Sequence, residues 1–258
     1  MTVANLISFA RQTMNLLMFP LMISLVSASA GMQEKSDFPH DVLKTSDGNL
    51  VIAFFAHASL MMEYHGKVIY IDPVMQYADY TRLPKADLIL VTHQHGDHFD
   101  VKAIEAILKE GTVVVVTKAC NSTIAGSVVM QNGESKTLQG IPVEAVPAYN
   151  IEHKRDNGTP FHPKGEGNGY VMTFGKTRVY IAGDTENIPE MKAVKGIDCA
   201  FLPMNLPYTM TPEMVADAAK AFRPKILYPY HFGQTDPSRL VALLKNEKGI
   251  EVRLRDMR

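Results

Sequence analysis

Between Val91 and Asp100 the chain reads Val-Thr-His-Gln-His-Gly-Asp-His-Phe-Asp, which puts three imidazoles and a carboxylate at His93, His95, Asp97 and His98. The run that precedes it, Asp87-Leu-Ile-Leu-Val91, has the length and character of a buried strand. Downstream, Val101, Ile104, Ile107 and Leu108 recur at helical spacing behind Asp100, a residue suited to an N-cap. The cluster is thus predicted to occupy a strand-to-helix loop. Alternate side chains of an extended segment point the same way, so His93 and His95 can reach one cation together. Asp97 and His98, past the bend, can face a second. Imidazole nitrogen with carboxylate oxygen suits zinc first, with manganese or iron as further candidates. A solvated polar loop would explain any one of these residues, but four ligand types within six positions point to metal.

The rest of the composition bounds the protein without naming it. With 258 residues, 46% hydrophobic and 21% charged, the chain can bury one substantial core. A formal net charge of −1 provides no basic excess, so a small-molecule partner is expected and nucleic acid is not. Cys120 and Cys199 lie in or beside apolar runs and read as small buried residues, and nothing in the sequence requires a disulfide between them. Near the N-terminus, the apolar run Leu16 to Val26 follows Arg11 and leads into Ser27-Ala-Ser-Ala30, the small-residue pattern of a signal-peptidase site. A signal peptide over residues 1–30, a polar leader over 31–49 and one domain over 50–258 are expected, with export to the periplasm or the exterior. The apolar run is short for a bilayer span. Membrane attachment follows only if the segment stays uncleaved, and Met14 is an alternative start.

Taken in order, strands are predicted at 51–55, 59–64, 67–71 and 112–117, then at 141–146, 170–174, 178–182, 198–203, 225–231 and 250–254. Helices are predicted to begin at Thr211 and at about Pro237. Two sheets with helices on their outer faces fit this order. His153, Asp184 and His231 each fall at or just beyond a predicted strand end, and strand ends along one edge can converge. His153 could complete the His93/His95 ion, His231 could join Asp97 and His98, and Asp184 has two oxygens with which to bridge. Asp72, before Pro73, is a candidate to accept a hydrogen bond from a ligand histidine. His57 is placed at the rim of the site, and Tyr208 in a wall formed by Leu206-Pro-Tyr-Thr209. His40, His65 and His162 read as surface or turn residues. Lys154, Arg155 and Lys164, on the long loop 148–169, read as solvated charge, with attraction of an anionic substrate as the lesser reading.

His93-Gln-His-Gly-Asp-His98, His153, Gly183-Asp-Thr185 and Tyr230-His231 resemble, in order and spacing, the motifs of the metallo-β-lactamase-fold hydrolases. Phe55-Ala-His57-Ala58 with Ile71-Asp-Pro73 is similar to the subgroup of predicted metal-dependent hydrolases and lactonases, and the likeness extends over roughly residues 50–254. The resemblance implies an α/β fold, a four-layer αββα sandwich with a dinuclear site on one edge. His93, His95 and His153 would hold the first divalent ion, Asp97, His98 and His231 the second, with Asp184 between them. Asp184 argues against β-lactam hydrolysis. The expected reaction is hydrolysis of an ester, lactone, amide or phosphodiester by a hydroxide shared between the ions, with Asp97 and His57 as catalytic groups. Two other readings are a mononuclear iron dioxygenase of sulfur compounds on the same fold and a metal-binding module without turnover.

Overall fold

The structure, a computed structural model, describes residues 38–257. The expected signal segment lies outside the described residues. Among the described residues, fourteen strands fall into two seven-stranded sheets. The first contains β1 (His40–Thr45), β2 (Gly48–Phe54), β3 (Leu60–Tyr64), β4 (Lys67–Ile71), β5 (Leu88–Leu90), β6 (Val113–Val116) and β7 (Val128–Val129). The second contains β8 (Ser135–Leu138), β9 (Ile141–Ala148), β10 (Gly167–Phe174), β11 (Thr177–Ile181), β12 (Cys199–Pro203), β13 (Ile226–Tyr230) and β14 (Glu251–Val252). Spatial order follows sequence order in both sheets. In each, four antiparallel strands give way to parallel ones, at β4 and at β11.

Period-two alternation decides which face each side chain takes. Ile52, Phe54, Leu60, Met62, Ile69, Ile71, Leu88 and Leu90 belong to the core between the sheets. Their neighbours Ala53, Met61, Tyr70, Ile89 and Val91 face the other way and pack beneath Ala103, Ile104 and Ile107 of α1 (Val101–Ile107). Asp100 caps α1, its Oδ1 accepting from the Lys102 N–H at 2.9 Å. On the second sheet lie α2 (Pro189–Ala193), α3 (Pro212–Phe222) and α4 (Ser238–Leu244). The Thr211 hydroxyl caps α3 by accepting from Met214 N–H at 3.1 Å, and Phe222 of α3 meets Tyr180 of β11 edge-on, ring centroids 6.0 Å apart. The layers are therefore helix, sheet, sheet, helix. Among the described residues no helix is long and apolar enough to cross a membrane.

One expected boundary needs correction, and one helix was not expected. Part of the expected leader is sheet: β1 pairs with β2 from His40↔Ala53 to Thr45↔Gly48, so the folded domain takes in residues 40–49. Only Leu43 of β1 is buried, which left the strand without an apolar signature. The short helix α2 also went unforeseen; it runs five residues and has no side-chain cap. Cys120 and Cys199 are both free and buried.

In the parallel halves the strands run the same way, so their carboxyl ends share an edge of each sheet. Asp72 follows β4, the His93–His98 loop follows β5, Asp184 follows β11, Asn205 follows β12 and His231 follows β13. Open α/β sheets bind ligands outside the carboxyl ends of their strands.

Candidate metal centre

The two sheets are joined at that edge by hydrogen bonds to main-chain carbonyls. Asn168 N–H donates to Thr92 O at 2.9 Å, and the Tyr170 hydroxyl to Val91 O at 2.7 Å. Gly183 sits in the join at φ +66°, where an added Cβ would lie 2.6 Å from Asn168 O. Only glycine lets the chain pass so close and still present the next side chain, Asp184. Three further site residues, His57, Asp72 and His231, also adopt left-handed backbone, at φ 57°, 44° and 45°. A non-glycine residue there costs about 1–3 kcal/mol and is held in place by its surroundings.

Around this join the ligand-type side chains form three overlapping groups, within each of which one atom per residue lies within 4.8 Å of the others: His93, His95 and His162; His93, His98 and Asp184; His57, Asp97, His98 and His231. His93 Nε2 is 3.1 Å from His95 Nδ1. Asp184 stands between the groups, one or other of its oxygens 3.1 Å from His162 Nε2, 3.4 Å from His98 Nε2, 3.4 Å from His231 Nε2 and 3.8 Å from His93 Nε2. Asp97 Oδ2 is 3.0 Å from His57 Nε2 and 3.7 Å from His231 Nε2.

His153, expected beside His93 and His95, is elsewhere, and His162, expected at the surface, occupies that place. Glu186 accounts for the exchange. Its buried carboxylate accepts the main-chain N–H groups of Ile151, Glu152 and His153 at 2.8, 2.7 and 2.6 Å, and the Asn150 amide at 3.0 Å. His153 Nδ1 lies 2.8 Å from the same carboxylate, and His153 belongs to none of the three groups. Burial alone would raise the Glu186 pKa, but donation from Glu152 N–H, Asn150 and His153 N–H holds it below the ordinary value. The Asn150 amide oxygen meanwhile accepts from His162 N–H at 2.8 Å and lies 2.7 Å from His162 Nδ1. With Nδ1 protonated, His162 directs an unprotonated Nε2 at the site, the usual arrangement of a ligand histidine.

Asp72 stands where a supporting carboxylate was expected. It is wholly buried and accepts from Thr92 N–H at 2.8 Å and the Thr92 hydroxyl at 2.7 Å, with His98 Nδ1 2.8 Å away. That leaves His98 Nε2 facing inward. His57 forms the rim, its ring stacked on Tyr77 at 5.3 Å. Tyr77 carried no sequence signal, since a lone tyrosine after Asp-Pro reads as an ordinary loop residue. Burial and the nearby Asp97 and Asp184 push its pKa up to about 12, so its hydroxyl stays protonated.

The electrostatics are those of a cation site. His93 is neutral: burial and the adjacent His98 ring hold its pKa well below the usual imidazole value. Asp97 and Asp184 remain carboxylates. Burial opposes their charge, but His231, His57 and His98 outweigh it at Asp97, and His231 and His98 at Asp184. For His98, burial is likewise overcome by Asp184 and Asp72, which raise its pKa to about 9; those carboxylates favour a positive charge at this point, and a cation bound there would displace the Nε2 proton. His98 Nε2, Asp184 Oδ1 and both ring nitrogens of His231 are buried without a hydrogen-bond partner. A buried polar atom left unpaired costs about 1–3 kcal/mol. Inward-facing lone pairs on imidazoles and carboxylates are the donor set that a divalent cation satisfies.

Over the cluster opens a cavity of about 340 Å³, its outer wall formed by Arg155, Phe161, Asn205 and Tyr208. A larger one, about 450 Å³, lies between residues 232–237 and 254–256 and contains no histidine.

Comparison with known proteins gives this edge its context. Residues 51–231 match the family described as the Beta-lactamase superfamily domain. A UPF0173 metal-dependent hydrolase of Thermus thermophilus is 32% identical over 214 residues, which cover 78% of this chain and 93% of that protein. The crystal structure of a Parabacteroides distasonis protein described as a metal-dependent hydrolase superposes with a TM-score of 0.81 at 49% identity, covering 86% of this chain and all of that one. A metallo hydrolase of Ignicoccus hospitalis, at 24% identity and a TM-score of 0.67 over 81% of this chain and 95% of its own, shares the fold. The αββα sandwich is accordingly the metallo-β-lactamase fold, and the chain belongs to the beta-lactamase superfamily.

Proposed function

We propose that this protein is a hydrolase that uses two divalent cations to cleave an ester, lactone, amide or phosphodiester bond of a small molecule. His93, His95 and His162 would hold one ion, Asp97, His98 and His231 the other, with Asp184 shared. The observation that carries this reading is the buried convergence of unpaired donor atoms on His98, His231 and Asp184 beneath an open cavity. Bound there, the ions, zinc first among the candidates, would activate water near neutral pH and polarise the substrate oxygen.

The protein's own groups would do the rest. Asp97, its side chain 45% exposed, reaches both the cluster and the cavity. As a carboxylate that stays ionised, it is suited to accept a hydrogen bond from the attacking water and orient it. His57, kept neutral chiefly by burial despite its bond to Asp97, donates from Nε2 and fixes that carboxylate's rotamer. Export follows from the same proposal only through the sequence of residues 16–30, and N-terminal sequencing of the mature protein would test it.

The decisive experiment is metal analysis of purified protein, followed by hydrolysis of an ester, lactone, amide and phosphodiester panel before and after chelation. Two zinc or manganese ions per chain, with activity lost to chelator and regained with metal, are expected. One iron per chain and oxygen-dependent turnover of a sulfur compound would overturn the proposal, as would stoichiometric metal with no turnover of any substrate.

A further inference from the structure

The connection from β9 to β10, residues 149–166, is built as a fixed arm. At its neck Asn150 and His162 exchange main-chain and side-chain hydrogen bonds: Asn150 N–H to His162 O at 2.8 Å, and His162 N–H to the Asn150 amide oxygen at 2.8 Å. Glu186 gathers the first turn, residues 151–153. Beyond it the chain folds into a small hairpin, with Lys154 bridged to Pro160 and Arg155 N–H donating to Thr159 O at 2.8 Å. The Asn150 amide also donates to Tyr208 O at 2.9 Å, so the arm and the opposite wall of the cavity are joined through one side chain.

This arm presents Arg155 to the cavity. Its guanidinium lies over the Phe161 ring, 5.1 Å from the centroid, and Phe161 in turn meets Tyr208 edge-on at 5.1 Å. The stacking occupies the guanidinium's face and leaves its edge, with its forked N–H donors, available. No carboxylate among the described residues pairs with Arg155, whereas Lys164 on the same arm is held 2.7 Å from Glu190 and 3.2 Å from the Tyr149 hydroxyl. Arg155, the aromatic pair and the ligand cluster line one cavity.

We propose that Arg155 is the specificity-determining residue of this site. It would bind an oxyanion, a carboxylate or a phosphate, carried by the substrate at a distance from the bond that is cut, with the substrate's apolar body against Phe161 and Tyr208. The assignment rests on the hydrolase reading for the meaning of the cavity but not for the binding itself. Forked donors grip both oxyanions by paired charge-assisted hydrogen bonds, and a neutral analogue of the same shape forfeits them.

Calorimetric titration of the metal-replete protein with phenylacetate, phenyl phosphate and neutral phenylacetamide tests this without requiring turnover. Arg155→Gln should weaken whichever anion the site takes by about tenfold, the scale of a hydrogen bond to a charged group, and leave phenylacetamide and metal content unchanged. The anion affected identifies carboxylate or phosphate as the natural group. Lys164→Gln, on the same arm, should leave both anions as they were. The proposal fails if neither anion depends on Arg155, or if Lys164→Gln costs as much as Arg155→Gln. Absence of hydrolysis alongside Arg155-dependent binding would instead count against the hydrolase reading alone.

Discussion

His153 and His162 lie on the same connection, and each has an imidazole within reach of a buried carboxylate, Glu186 for one and Asp184 for the other. What separates them is the company each carboxylate keeps. Glu186 is already surrounded by N–H donors from the main chain, so His153 beside it has no vacant partner to share with a cation. Asp184 sits among imidazoles, and His162 is held there by Asn150. His162→Ala should therefore release one metal equivalent and lower turnover by at least about 100-fold, given that even outer supporting residues are worth 10–100-fold. His153→Ala should keep both ions. Elemental analysis of the two purified variants decides the matter; loss of metal from the His153 variant would reverse the assignment. The contrast also explains what could be read from sequence. Four ligand types in the His93–His98 loop are local in the chain, so spacing alone exposes them. The choice between two histidines nine positions apart is made by Asn150 and Glu186 through tertiary contacts, and neither of those residues carries a motif.

At the scale of elements, the strands were legible where both faces of a sheet are buried and their apolar runs are continuous, as in Leu88–Leu90 and Val113–Val116. Edge strand β1 was not, because Leu43 is the only residue it buries and Val42, its other apolar residue, lies on the exposed face, which leaves no alternation to read. The arm 149–166 is the element on which the site depends most, and its stability can be argued from one residue. Glu186→Ala removes the acceptor of three main-chain N–H groups and the Asn150 amide. Buried donors left unpaired cost about 1–3 kcal/mol each before water reaches them. Because the arm borders the cavity, it should open locally rather than unfold the sandwich. Hydrogen exchange is expected to accelerate over residues 150–162 while the strands β9 and β10 stay protected, with KM raised more than kcat is lowered. Uniform acceleration across both sheets would mean that Glu186 supports the whole core instead.

For the whole molecule, the notable connection runs from the first strand to the last residues. Asp41 on β1 meets the Arg255 guanidinium at 2.6 Å through both carboxylate oxygens, has Arg253 at 3.6 Å, and accepts from the Tyr228 hydroxyl. The tail then continues to Met257, whose carbonyl accepts His57 N–H at 2.9 Å, while His57 O accepts His231 N–H at 2.9 Å. An ion pair at one end of the sandwich thus secures the segment that positions two site residues at left-handed backbone angles. Burial alone would raise the Asp41 pKa, but the Arg255 and Tyr228 hydrogen bonds outweigh it, so the folded value lies below the ordinary 3.8. A carboxyl depressed by folding adds stability at pH above its unfolded value and surrenders it as pH falls through the folded one. The wild-type protein should accordingly lose this contribution only below about pH 4. Asp41→Asn should cost about 1–2 kcal/mol at neutral pH, a charge-assisted contact partly open to solvent, equivalent to roughly 2–8 °C in Tm for a domain of this size. The deficit should narrow as the medium is acidified, because protonation brings the wild type towards the variant. Melting curves of both proteins from neutral pH down to about pH 3 measure it; a gap that stays constant or widens on acidification would show that Asp41 contributes packing and not charge.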